Sequence, residues 1–131
     1  MKKFIITPAL LLFLGLTMSY AQGLKVPSVG KMGMATQVLD ILNTTDGMDL
    51  SSDQKSKLEK NNKSFVDDLM KVNDSKLSDD EKKEKFLGLK NSRTKFLTDL
   101  LGSDLFKKYS GQILKSINPL KSKLGLAALA F

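Results

Sequence analysis

The 131-residue chain contains no cysteine, no histidine and no tryptophan, and its one arginine is Arg93. Each absence removes chemistry. Without cysteine there is no disulfide, thiol nucleophile, zinc–thiolate site or lipid-anchored thiol. Without histidine the commonest general base and metal ligand is gone, and with it most hydrolase triads and transition-metal sites. There is also no phosphate-binding loop and no nucleophile elbow. Of the 14 acidic residues, those in first turns of helices or in i,i+4 pairs are accounted for by solvation and the helix dipole. Met32, Met34, Met48 and Met70 are soft donors, but methionines at helical spacing read as core. No enzyme, metal or cofactor is expected.

What is present begins with a targeting pattern. Lys2 and Lys3 precede an apolar run from Phe4 to Leu16, and Ser19-Tyr20-Ala21 offers small residues at the two positions a signal peptidase reads. The run is short of the roughly 20 residues a bilayer span requires. Residues 1–21 are therefore expected to be a cleaved signal peptide, and the protein periplasmic or secreted. Cleavage removes Lys2 and Lys3, lowering the formal charge from +7 to +5. An exported small domain without cysteine must be held by helix packing or oligomerisation.

Residues 22–30, with Pro27, Ser28 and two glycines, read as a flexible lead-in to a helical domain over 31–118. A first helix is expected at 31–46 from Ala35, Val38, Leu39 and Leu42, closed by Asn43-Thr44-Thr45-Asp46-Gly47. The chain is organised around the next stretch, Leu50 to Leu101. Ser51 with Gln54 at the third helical position forms a capping box, and Ser78 with Glu81 repeats it. Leu50 and Leu77 stand immediately before the two caps. The first helix of this pair should run to about Val72 on the stripe Leu58, Phe65 and Leu69, with Asn62 at a gap in the same face. Glu59–Lys63 and Asp67–Lys71 are spaced for flanking ion pairs. The second carries Phe86, Leu89, Arg93, Phe96 and Leu100 at 3-4-3-4 spacing, broadened by Leu97 and Leu101.

Folding the two about a turn at Asn73–Lys76 aligns residues whose numbers sum to about 155. Phe65 then opposes Leu89, Leu69 opposes Phe86, and Leu58 opposes Phe96 or Leu97. Asn62 opposes Arg93, so the polar gaps of the two stripes coincide. The commoner fate of a lone arginine at a seam edge is to snorkel to solvent. A last helix is expected from Asp104 to Ile117, started by Ser103 and stopped by Pro119, with Leu105, Phe106, Tyr109, Ile113 and Ile117 on one face. The apolar tail, 119–131, either docks on the bundle or touches a partner or membrane. The fold class is all-α: a long antiparallel hairpin with one helix before and one after it.

Leu50-Ser51-Ser52-Asp53-Gln54 resembles the Leu-Thr-x-x-Gln motif of the Spy/CpxP family of periplasmic helical proteins, with serine for threonine. Leu77-Ser78-Asp79-Asp80-Glu81 resembles a degenerate second copy. The run from Glu84-Lys85-Phe86 to Arg93, then Leu100-Leu101 and Phe106-Lys107-Lys108-Tyr109, is similar to the pattern of those small exported proteins, although Gly102-Ser103-Asp104-Leu105 replaces their final motif. The resemblance spans about residues 50–115. It implies a hairpin that dimerises into a curved cradle and binds unfolded clients through a basic concave face, without ATP. The metal-sensing branch of that family is not implied, for want of ligands. The expected function is chaperone-like or envelope-stress binding of unfolded clients. The alternative is a structural protein docking an envelope partner through its helices and tail. Nucleic acid is not an expected partner: export argues against it, and the aromatics follow the core stripe rather than the lysines. Any membrane contact falls to the tail.

Overall fold

The computed structural model describes residues 29–131, with side chains from Gly33 onward. The signal-type segment, its site after Ala21 and most of the lead-in lie outside the described residues. The fold is all-α. Helix α1 spans Val29–Asn43, α2 Ser52–Asp74, α3 Asp79–Leu101 and α4 Ser103–Ile117. A 3₁₀ turn at Asn118–Leu120, the short α5 at Lys121–Leu124 and a 3₁₀ segment at Gly125–Ala130 complete the chain. No described helix is long and apolar enough to cross a membrane.

Helix α1 begins at Val29, inside the stretch read as a lead-in, and ends at Asn43, the first of the turn formers, three residues short of the expected end at 46. Val38 and Leu42 are its fully buried residues. At the start of α2 the Gln54 amide donates to Ser51 Oγ at 3.1 Å while the Ser51 amide donates to Gln54 Oε1 at 3.0 Å. At α3 the Glu81 amide reaches Ser78 Oγ at 3.3 Å and the Ser78 amide reaches Glu81 Oε2 at 2.8 Å. Both capping boxes satisfy amides that a helix start otherwise leaves orphaned. The Ser78 amide first, and the Ser78 hydroxyl second, hold the Glu81 carboxyl below its ordinary value of 4.5. Ser51→Ala and Ser78→Ala should each cost about 1 kcal/mol in urea unfolding. Because the folded-state value is depressed, the Glu81 contribution is present above pH 4.5 and is lost as pH falls through the folded value. Exchange protection of the Ser78 amide, which donates to Glu81 Oε2, should fall over that window, and protection of the Glu81 amide, which donates to Ser78 Oγ, should be lost in Ser78→Ala.

The turn between α2 and α3 lies about two residues later than expected. Helix α2 continues to Asp74, and Ser75 closes it with its amide and hydroxyl both on the Val72 carbonyl, at 3.2 and 2.6 Å. Gly102 both ends α3 and begins α4. Its N–H donates to the Thr98 carbonyl and its own carbonyl accepts from Phe106, each at 2.9 Å. Its φ of 78° and ψ of 166° lie in a region essentially closed to other residues. Ser103 is therefore the first helical residue of α4, not its cap, and no side chain caps that helix.

The core is continuous from α1 to the terminal segment. Leu58, Phe65 and Leu69 of α2 are buried as expected, joined by Val66. On α3 the buried face is Phe86, Leu97 and Leu101, whereas Leu89, Phe96 and Leu100 are only half-buried. The 3-4 seam assumed a single partner helix. Helix α3 instead packs against α2, α4 and the terminal 3₁₀ segment together, which turns the wider 86–97–101 face inward. The expected Glu59–Lys63 and Asp67–Lys71 pairs are not among the ion pairs of the described residues. Lys71 takes Asp68 at 3.7 Å and Lys57 takes Asp53 at 2.8 Å. Both are exposed and worth tenths of a kcal/mol at most.

The tail docks on the bundle. Leu124, Ala127 and Ala130 are buried, and the Phe131 ring meets Phe65 edge-on, centroids 5.4 Å apart.

Candidate functional site

Three features could carry function: a buried polar cluster and two surface concavities that flank it. The cluster sits where α1, α2, α3 and α4 meet. Asn62 is fully buried. Its Nδ2 donates to the Leu42 carbonyl at 2.8 Å and to Asn43 Oδ1 at 3.0 Å. Its Oδ1 accepts from Arg93 Nη2 at 2.8 Å. Arg93 Nη2 also donates to Tyr109 Oη at 3.0 Å, and Tyr109 Oη donates to the Leu42 carbonyl at 2.6 Å. The guanidinium lies 4.8 Å from the Phe65 ring centroid and 5.7 Å from that of Tyr109.

Arg93 therefore turns inward, against the expectation of snorkelling, and meets the residue the register placed opposite it. The reason is local. The α1 terminus and Tyr109 bring acceptors and π faces to the same point, and two rings supply what solvent would have given. Burial disfavours the charged guanidinium and lowers its pKa, and burial raises that of the Tyr109 phenol. Among the described residues no carboxylate pairs with Arg93. Tyr109 and the Leu42 carbonyl are members that sequence reasoning did not assign to this cluster. The one available signal was a phenol set into an otherwise apolar helix face, because buried tyrosine needs a partner for its hydroxyl.

The first concavity, about 170 Å³, lies between α3, α4 and the terminal segment; Leu97, Phe106, Ile113, Phe131, Lys90 and Arg93 contribute to its lining. The second is an open groove of about 900 Å³ on the outer side of the α2–α3 hairpin, near its turn. Val72, Leu77 and Leu89 give it apolar ground, with Lys71 and Lys85 and the acidic Asp68, Glu81 and Glu84 beside them.

Of the motif residues, Ser51, Ser78 and Glu81 are exposed and occupied in capping, while Leu50 and Leu77 are half-buried. Gln54 does more than cap: its Nε2 donates to the Leu100 carbonyl at 3.1 Å, tying the start of α2 to the end of α3. Lys108 and Gln112 of α4 donate to the Gly47 and Asp46 carbonyls, clipping down the α1–α2 loop. Among the described residues no group of three or more acidic side chains gathers as a metal site. Met34, Met48 and Met70 pack in or against the core, and the Met32 side chain is outside the described set.

No family model matches the chain, and neither a curated protein nor a solved structure matches it.

Proposed function

We propose that this is an exported, non-enzymatic binding protein that holds unfolded or partly folded protein segments, chaperone-like, along the outer groove of its α2–α3 hairpin. The observation that carries the reading is Gly88. It lies exposed in the middle of α3, in that groove, and a Cβ built there would meet nothing within 4 Å. A mid-helix glycine costs about 1 kcal/mol relative to alanine. No contact within the described residues requires it, and its place in the groove leaves room for close approach by another chain. Val72, Leu77 and Leu89 supply the apolar ground, and the mixed charges around them, Lys71 and Lys85 with Asp68, Glu81 and Glu84, can meet either sign on a client. Export and the Spy/CpxP resemblance point the same way.

The alternative, docking an envelope partner through the tail, is weakened by the burial of Leu124, Ala127 and Ala130. A tail that binds elsewhere must first leave the bundle.

The test is suppression of aggregation of a reduced, unfolded client at stoichiometric amounts and low salt. Suppression should fall as salt rises, because exposed charge attraction is screened over about 8–10 Å at ordinary ionic strength. Gly88→Glu is the informative variant. It should stabilise α3 by about 0.5–1 kcal/mol through helix propensity while abolishing most of the suppression by filling the groove. Full suppression by a folded Gly88→Glu protein, or none by the wild type, would overturn the proposal.

A further inference from the structure

We propose that the pocket between α3, α4 and the terminal segment is a binding site for a small apolar carboxylate, of the size of an aromatic acid with one ring. The inference is independent of client binding, which uses the other side of the hairpin.

Size sets the first limit. The pocket holds about 170 Å³, and a cavity of about 150 Å³ accommodates a benzene ring. Wall chemistry sets the second. Leu97, Phe106, Ile113 and Phe131 give it apolar sides, and the half-exposed Leu114 leaves it open to solvent. Charge sets the third. Among the described residues its ionisable side chains are Lys90 and Arg93, both cationic. Thr94 and Ser110 add hydroxyls.

Arg93 makes the anion specific rather than incidental. Its side chain is drawn into the bundle, yet among the described residues its hydrogen bonds go to neutral partners, Asn62 and Tyr109. Its Nε is enclosed with no acceptor among the described residues. A desolvated cation lacking a counter-ion is costly, and an anion brought beside it in a low-dielectric site recovers part of that cost. A carboxylate on an apolar body meets all three limits. A neutral molecule of the same shape meets only two.

The experiment is a methyl-resolved NMR titration of the full chain with benzoate at low salt, with benzamide as the neutral isostere. Benzoate should bind with Kd of order 1 mM, reasonable for a ligand of so few atoms, and shift the methyls of Leu97, Ile113 and Leu114. Benzamide should bind about tenfold more weakly. Lys90→Gln, at an exposed position, keeps the fold and should weaken benzoate about threefold without affecting benzamide. Equal affinity for the two ligands, shifts confined to the α2–α3 groove, or no saturable shift with benzoate would each overturn the assignment.

Discussion

Asn62→Ala should cost about 3 kcal/mol, a large part of the roughly 5–15 kcal/mol that holds a domain of this size together. The corresponding fall in Tm is about 15 °C. The estimate does not come from volume, since the change removes few atoms. It comes from what is left behind. Asn62 has its donor end on two oxygens, Leu42 O and Asn43 Oδ1, and its acceptor end on the Arg93 guanidinium. Truncation leaves the Asn43 oxygen short of a donor and takes from the guanidinium its 2.8 Å acceptor in a site screened from water. Removing one member of a buried charged network costs more than the network contributes as a whole, because the remaining charge stays desolvated.

That asymmetry gives the prediction its test. Arg93→Met removes the charge and keeps an apolar stem against Phe65 and Tyr109. The double variant Asn62→Ala/Arg93→Met should be less destabilised than the sum of the two single variants, by about 1–3 kcal/mol of coupling. Urea denaturation of the four proteins closes the cycle. Strict additivity would mean that the guanidinium reaches solvent in the native state and that the contact at Asn62 is incidental.

The Asn62–Arg93 pairing could be read from the chain alone because two amphipathic helices joined by a short turn have few registers, and a register that matches apolar stripes also matches their gaps. The caps were legible for a similar reason: Ser51/Gln54 and Ser78/Glu81 are local motifs whose bonds depend on four residues each. What depended on three bodies was not legible. Phe96 and Leu97, like Leu100 and Leu101, are neighbours about 100° apart on the helix, and period alone cannot tell which of each pair faces inward. The choice is made by the terminal segment, which claims the 97–101 side. That segment was itself opaque. Ala127 and Ala130 are three apart inside it, beyond Gly125, whose φ of 57° and ψ of −129° separate them from Leu124, and a helix of 3.6 residues per turn does not bring such a pair onto one line. A 3₁₀ helix does, and nothing in the composition of a short Gly-Leu-Ala run announces that choice. The polar cluster suffered likewise. Two of its members came from within the hairpin, whereas Tyr109 and the Leu42 carbonyl came from helices whose approach no pairwise register could supply.

Ala127→Glu carries the same point into an expected effect, a loss of about 3 kcal/mol together with release of the chain beyond Leu124. Ala127 is 1% exposed and lies between Leu124 and Ala130 in the segment that packs against α3. A carboxylate there can stay buried at a cost of several kcal/mol, or the segment can lift off and hydrate it. The protein takes the less costly course, so the measured loss is capped by the free energy with which the terminal segment docks. Release also uncovers the edge of Phe65 that Phe131 now meets at 85°. Proton NMR should therefore show the ring-current shifts at Phe65 and Phe131 collapse, with fast amide exchange at Phe131, whose N–H now donates to the Ala128 carbonyl. Leu129→Glu is the control: Leu129 is 39% exposed, and a charge there should change stability by no more than about 0.5 kcal/mol. If Ala127→Glu were as silent as Leu129→Glu, the segment would not be docked in solution. Leu124, Ala127 and Phe131 would then be free to engage a partner, and the tail-docking reading would take precedence over the hairpin groove.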